Sequence, residues 1–150
     1  MTRIRVTRRA VLTGMTGLAA LAAFPVSASP DAALQQLKDW TKASAAKPGR
    51  VKLVLPEVAD NGNAVPLEVA VESPMSEADY VRSIHIVADG NPHPAVASFH
   101  LTPANGRAHV TTRIRLAKSQ RVTAWAVMND GSVWGTRAAV TVTIGGCGAG

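Results

Sequence analysis

The sequence is poor in the residues that usually announce an enzyme or a nucleic-acid binder. It has one cysteine, Cys147, so no disulfide can close within the chain. One Tyr, two Phe and three Trp are its only aromatics, which leaves Val, Ile, Leu and Ala to build the core. Acidic residues are missing before Asp31, whereas Arg3, Arg5, Arg8 and Arg9 fall within the first nine positions. The formal charge of +6 therefore misleads. Beyond residue 28 there are 12 basic and 10 acidic residues, interspersed. Such a surface lacks the basic face that nucleic acid requires.

Catalytic signatures are also missing. No glycine-rich phosphate loop follows a strand and opens a helix, and no nucleophile-elbow motif is present. His85, His93, His100 and His109 lack the close spacing of a zinc site, and His85 and His109 are expected to point away from the apolar side of their strands. Neither a metal nor a catalytic residue is expected.

What is present falls into four stretches. Residues 1–28 read as an export signal: a basic start, the apolar and small-residue run from Ala10 to Val26, and Val26-Ser27-Ala28 as the cleavage site. The run is too short and too rich in Ala and Gly for a stable membrane anchor. Arg8-Arg9 before Ala10-Val11-Leu12 has the form of a twin-arginine signal. The expected destination is the periplasm, where thiols tend to be oxidised.

Residues 29–48 form a helix and linker. Asp31 is the expected cap, Leu34, Leu37 and Trp40 the apolar stripe, and Lys47-Pro48-Gly49 the stop, for a helix over 31–46. Residues 49–144 alternate between apolar and polar positions. Strands are expected at 51–55, 67–72, 81–88, 95–102, 109–116, 121–128 and 133–144. Asn61-Gly62, Asp89-Gly90, Asn105-Gly106 and Asp130-Gly131 separate them as turn signals. Short strands at this spacing predict an all-β, immunoglobulin-like antiparallel β-sandwich. The buried Trp and paired cysteines of antibody domains are not expected here. Ser73-Pro74-Met75 and Asn91-Pro92-His93-Pro94 read as surface loops.

Residues 145–150 are a glycine-rich arm, Gly145-Gly146-Cys147-Gly148-Ala149-Gly150. Cys147 has no neighbouring base or positive charge to activate it, so it is an ordinary thiol with a pKa around 8.5. Any activation must come from another protein's active site. Gly145, Gly146 and Gly148 add almost no bulk, which suits a flexible arm entering a narrow channel, and Gly146→Val is expected to spare the fold. The alternative is an adaptor whose cysteine links two chains by a disulfide.

Several stretches together resemble the SoxY family of sulfur-substrate carriers. They are LVLPEVADNGNAVP at 53–66, VESPM at 71–75, YVRSIHI at 80–86, GNP at 90–92, RIRLAKSQ at 113–120 and the tail GGCG at 145–148. The resemblance implies a non-catalytic protein with no cofactor, holding sulfur intermediates covalently on Cys147. It implies a heterodimer with a SoxZ-like subunit. It implies three clients: a c-type cytochrome complex that couples thiosulfate to the thiol, a manganese sulfate-thiohydrolase, and a sulfur dehydrogenase. The family tail usually ends Gly-Gly-Cys-Gly-Gly; here Ala149 and Gly150 follow Gly148.

Overall fold

Residues 29–146 are described by the structure, a computed structural model. The expected export segment, Cys147, Gly148 and the last two residues lie outside the described residues.

Among the described residues, eight strands form two sheets. They are β1 (Val51–Val54), β2 (Val58–Asn61), β3 (Val65–Val71), β4 (Val81–Ala88), β5 (Ala95–His100), β6 (Ala108–Ile114), β7 (Gln120–Met128) and β8 (Val133–Ile144). One sheet has the order β1-β3-β6 and the other β2-β8-β7-β4-β5. This is an immunoglobulin-like sandwich, with the central β4, β7 and β8 extended by β5 on one side. All seven expected strands are present, two of them with the expected bounds.

The eighth strand, β2, is a correction. It pairs with β8 in parallel, Val58 opposite Thr141 and Asn61 opposite Ile144, so the sandwich is not wholly antiparallel. Only Ala59 of its four residues is buried. So short and polar a run has no alternation to reveal it, and its pairing is made by a distant strand.

The core between the sheets is aliphatic. Val65, Leu67, Val69 and Val71 from β3 face Ile84 and Ile86 from β4 and Val122, Ala124, Ala126 and Met128 from β7. Strand β4 is buried on both faces, because a helix covers the outer side of its sheet. That helix, α1, spans Pro30–Thr41. Its cap is Ser29 rather than Asp31: the Ser29 hydroxyl accepts from the Ala32 amide at 3.1 Å. Asp31 lies in the first turn, where its charge suits the helix dipole. The helix ends at Thr41, short of the expected 46. Lys42 turns left-handed at φ 59° and its amide bonds the Lys38 carbonyl.

The buried side of α1 is Ala33 and Leu37, which meet Val87, Trp125, Val127 and Val133. Leu34, expected in the apolar stripe, is 40% exposed. Its place is taken by the smaller Ala33, which lets the helix lie close to the sheet. A buried Trp therefore exists after all: Trp125 is 6% exposed, beneath α1 rather than between the sheets. The linker after the helix is pinned, since the Lys47 amide donates to the Val133 carbonyl and the Gly135 amide donates to the Lys47 carbonyl, both at 2.9 Å.

The two expected surface loops are exposed at Pro74, Pro92 and His93, but each holds one buried residue, and His85, on the second face of its strand as expected, is covered there. Met75 is buried at φ 51°, and its sulfur accepts from the Val81 amide at 3.5 Å. Asn91 is buried. His85 is only 5% exposed, because the sheet face it occupies is roofed by α1: Trp40 stacks on its ring at 5.3 Å.

Candidate functional site

The last described residues are the base from which the Cys147 segment departs, and their packing is specific. Strand β8 stops at Ile144, beside the end of β2. There a single turn of 3-10 helix, Gly62–Ala64, begins, capped by Asn61, whose side-chain oxygen accepts from the Asn63 amide at 2.8 Å. The Gly62 carbonyl accepts from the Leu116 amide at 2.8 Å. In turn the Leu116 carbonyl accepts from the Gly146 amide at 2.9 Å. Leu116 itself is fully buried. Three chain segments far apart in sequence thus meet backbone to backbone.

So close an approach leaves no space for side chains. A Cβ on Gly62 would strike the Leu116 carbonyl oxygen and stand 2.8 Å from the Gly146 amide nitrogen. One on Gly145 would strike the Ala117 carbonyl oxygen, and one on Gly146 would strike the Gly62 carbonyl. Glycine at 145 and 146 therefore has a packing reason that composition did not reveal. The expectation that valine at 146 spares the fold does not survive this geometry.

The loop that receives Gly146, residues 115–119, is held from three sides. The Asn91 side chain donates to the Arg115 carbonyl and accepts from the Ala117 amide, each at 2.9 Å. The Gln120 side chain donates to the Asn91 oxygen at 2.9 Å and to the Lys118 carbonyl at 3.0 Å. The same Gln120 accepts from the Gly90 amide at 2.7 Å. From the far side, the Ser119 hydroxyl accepts from the Val142 amide on β8 at 2.9 Å. Arg115 and Lys118 are the charged members of this loop, and both are exposed.

The histidines do not join this base. His85 lies under α1, with Nδ1 2.8 Å from the Ser98 hydroxyl and Nε2 2.9 Å from that of Ser83. Burial, helped by nearby His100, lowers its pKa below the usual histidine value. His109 pairs with Glu68 at 3.0 Å on the exposed face of the smaller sheet. Among the described residues, no group of three or more His, Cys, Asp and Glu side chains is placed to hold a metal, and no helix is long and apolar enough to cross a membrane.

Sequence reasoning found the glycines and the thiol but missed the seat beneath them. Its signal was present in part: Asn61-Gly62, Gly90-Asn91-Pro92 and the 113–120 run were all singled out, yet nothing in their spacing says that they converge.

Comparison with curated proteins gives no match. Among solved structures, the sulfur carrier protein SoxY from Chlorobium limicola f thiosulfatophilum superposes with a TM-score of 0.61 at 26% identity, over 73% of this chain and 94% of that one. A superoxide reductase (neelaredoxin) from Ignicoccus hospitalis superposes with a TM-score of 0.56 at 20% identity, over 78% of this chain and 95% of that one. At that identity the second likeness speaks of fold alone. The model of the family described as sulfur oxidation protein SoxY matches residues 37–147, a span that begins within α1, includes every strand and ends on the cysteine. The chain belongs to the SoxY family of sulfur oxidation proteins.

Proposed function

We propose that the chain is a covalent carrier of sulfur intermediates, with Cys147 as the attachment point, and that it performs no catalysis itself. The observation that carries this reading is the family match running to Cys147, the one cysteine of the sequence, directly after a base packed to tolerances that admit only glycine. In this reading residues 145–150 serve as the arm. Gly145 and Gly146 form its seated root, and Gly148 supplies access beyond the thiol.

The chemistry follows from the thiol. Oxidative coupling joins the Cys147 sulfur to the outer sulfur of thiosulfate and releases a proton and two electrons, which the cytochrome client accepts. Water then splits the bond between that sulfur and the sulfonate, giving sulfate and leaving a persulfide on Cys147. A dehydrogenase client oxidises the remaining sulfane sulfur to a sulfonate, passing six electrons to its own acceptor while three waters supply the oxygens, and a second hydrolysis releases that group as sulfate and restores the thiol. The carrier's part is to present each adduct in turn. A SoxZ-like subunit is the proposed companion. Residues 1–28, with Arg8 and Arg9, are the proposed twin-arginine signal for export to the periplasm.

Cys147→Ser tests the reading. In the reconstituted system it should abolish thiosulfate-dependent electron transfer, and mass spectrometry of wild-type protein should find sulfur adducts on Cys147 alone. Unchanged turnover in the variant would sink the carrier role. An obligatory disulfide-linked dimer in the working state, seen on non-reducing gels, would favour the adaptor instead.

A further inference from the structure

The buried polar side chains among the described residues are Ser83, His85, Asn91 and Gln120. The first two bond each other beneath α1. Asn91 and Gln120 are different, because they bond mostly to backbone that no strand partner satisfies. A buried amide side chain is costly unless its donors and acceptors are matched. Here no buried side-chain nitrogen or oxygen of the described residues lacks a partner. Apolar residues could fill the same space without that demand, so the pair is best explained by what it holds.

What it holds is the loop 115–119, through the Arg115 carbonyl, the Ala117 amide and the Lys118 carbonyl. Between the first two bonds lies Leu116, whose carbonyl receives the Gly146 amide. The brace also admits little substitution at its own root, since a Cβ on Gly90 would come within 2.7 Å of the Gln120 Cβ. The chain of contact runs from Gly90 through Gln120 and Asn91 to the loop, and from the loop to Gly146.

We infer that Asn91 and Gln120 are positioning residues that hold the 115–119 loop as the seat of Gly146, so that the segment bearing Cys147 leaves from a fixed point. The purpose of that fixed point rests on the carrier reading; the seat itself does not. The Cα of residue 147 lies one peptide unit, about 3.8 Å, from that of Gly146. A client that draws in the thiol therefore meets an origin already ordered. If the seat is loosened, each encounter must order at least one further residue, which weakens productive binding about five- to thirtyfold.

Amide hydrogen exchange on the purified chain tests the seat without using the thiol. In wild type, the Gly146 amide should exchange far more slowly than an unstructured glycine. Asn91→Ala and Gln120→Ala should speed exchange at Gly146 and Ala117 at least tenfold, leaving Ile84 and Val122 in the core unchanged. Asn91→Asp keeps the acceptor for Ala117 and should restore part of the protection. With the sulfur adduct as substrate, Asn91→Ala should raise the KM of the hydrolytic client about five- to thirtyfold, with kcat unchanged. The reaction of Cys147 with a small free disulfide should stay at the wild-type rate.

Unchanged protection at Gly146 in Asn91→Ala overturns the proposal. So does a parallel loss at Gly146, Ile84 and Val122 in both Asn91 variants, which would make the pair a support for the whole fold. A wild-type KM in a variant whose Gly146 is unprotected overturns the positioning role. Failure of the carrier reading is seen separately, in Cys147→Ser.

Discussion

Glycine at 62, 145 and 146 is required because main chain lies on main chain. The bonds from Leu116 to Gly62 and from Gly146 to Leu116 bring three segments within reach of each other, and any Cβ would occupy the same space. Gly146→Val should therefore destabilise the fold, by about 1–3 kcal/mol for an overpacked site, read as a lower midpoint in denaturant unfolding. A midpoint equal to wild type would mean that the seat opens at no cost. Sequence alone pointed to Gly145 and Gly146 but assigned them to access, and read Gly62 as part of a turn, since a glycine that avoids a clash and one that frees a tail look the same in one dimension. Gln120 was legible only as the last residue of the 113–120 run, just ahead of the strand expected at 121–128. That its side chain reaches Asn91, 29 positions earlier, is a consequence of the loop between β4 and β5 folding over the loop between β6 and β7.

At the scale of elements, strands declared themselves by alternation and α1 by its helical repeat, while boundaries and faces followed local chemistry that the pattern did not resolve. The helix ends where Lys42 takes a left-handed conformation that disfavours any residue with a Cβ. Lys42→Gly should stabilise the protein by roughly 0.5–1 kcal/mol, the relief being partly offset by the freer unfolded chain. Thermal unfolding would register the gain, and a lower melting temperature would contradict it. The face of α1 was misjudged by one position, Leu34 for Ala33, because either choice gives a helical repeat with Leu37. Only the packing of the helix against Trp125 and Val87 selects the smaller residue. Strand β2 had no pattern to show. It exists because β8 offers it an edge, and it matters because it delivers Gly62 to the seat.

The described residues form three layers: the small sheet, the large sheet and α1. His85 sits at the second of the two interfaces, roofed by Trp40 and bonded to Ser83 and Ser98. Burial, and then His100 at a ring separation of 6.2 Å, disfavour its charged form. The unfolded chain therefore binds a proton at His85 more readily than the folded one. Stability from this residue is fully present above the unfolded value of about 6.5 and declines as pH falls through the lowered folded value. Melting temperature should fall on acidification from about pH 7.5 to about pH 5, and His85→Gln should flatten that slope. An identical slope in the variant would show that the layer under α1 does not sense the proton.

By itself the sequence determined the sandwich, the short helix before it, the lone thiol and its glycine setting, because each of these rests on local pattern: period-two alternation, an apolar helical repeat, and residue identity. Tertiary structure alone decided that Gly145 and Gly146 are seated, that Asn91 and Gln120 brace the seat, that β2 joins the sheet in parallel, and that His85 is roofed. Each of these depends on contacts between segments tens of residues apart, where a hydrogen bond or a missing Cβ is set by how closely two backbones approach.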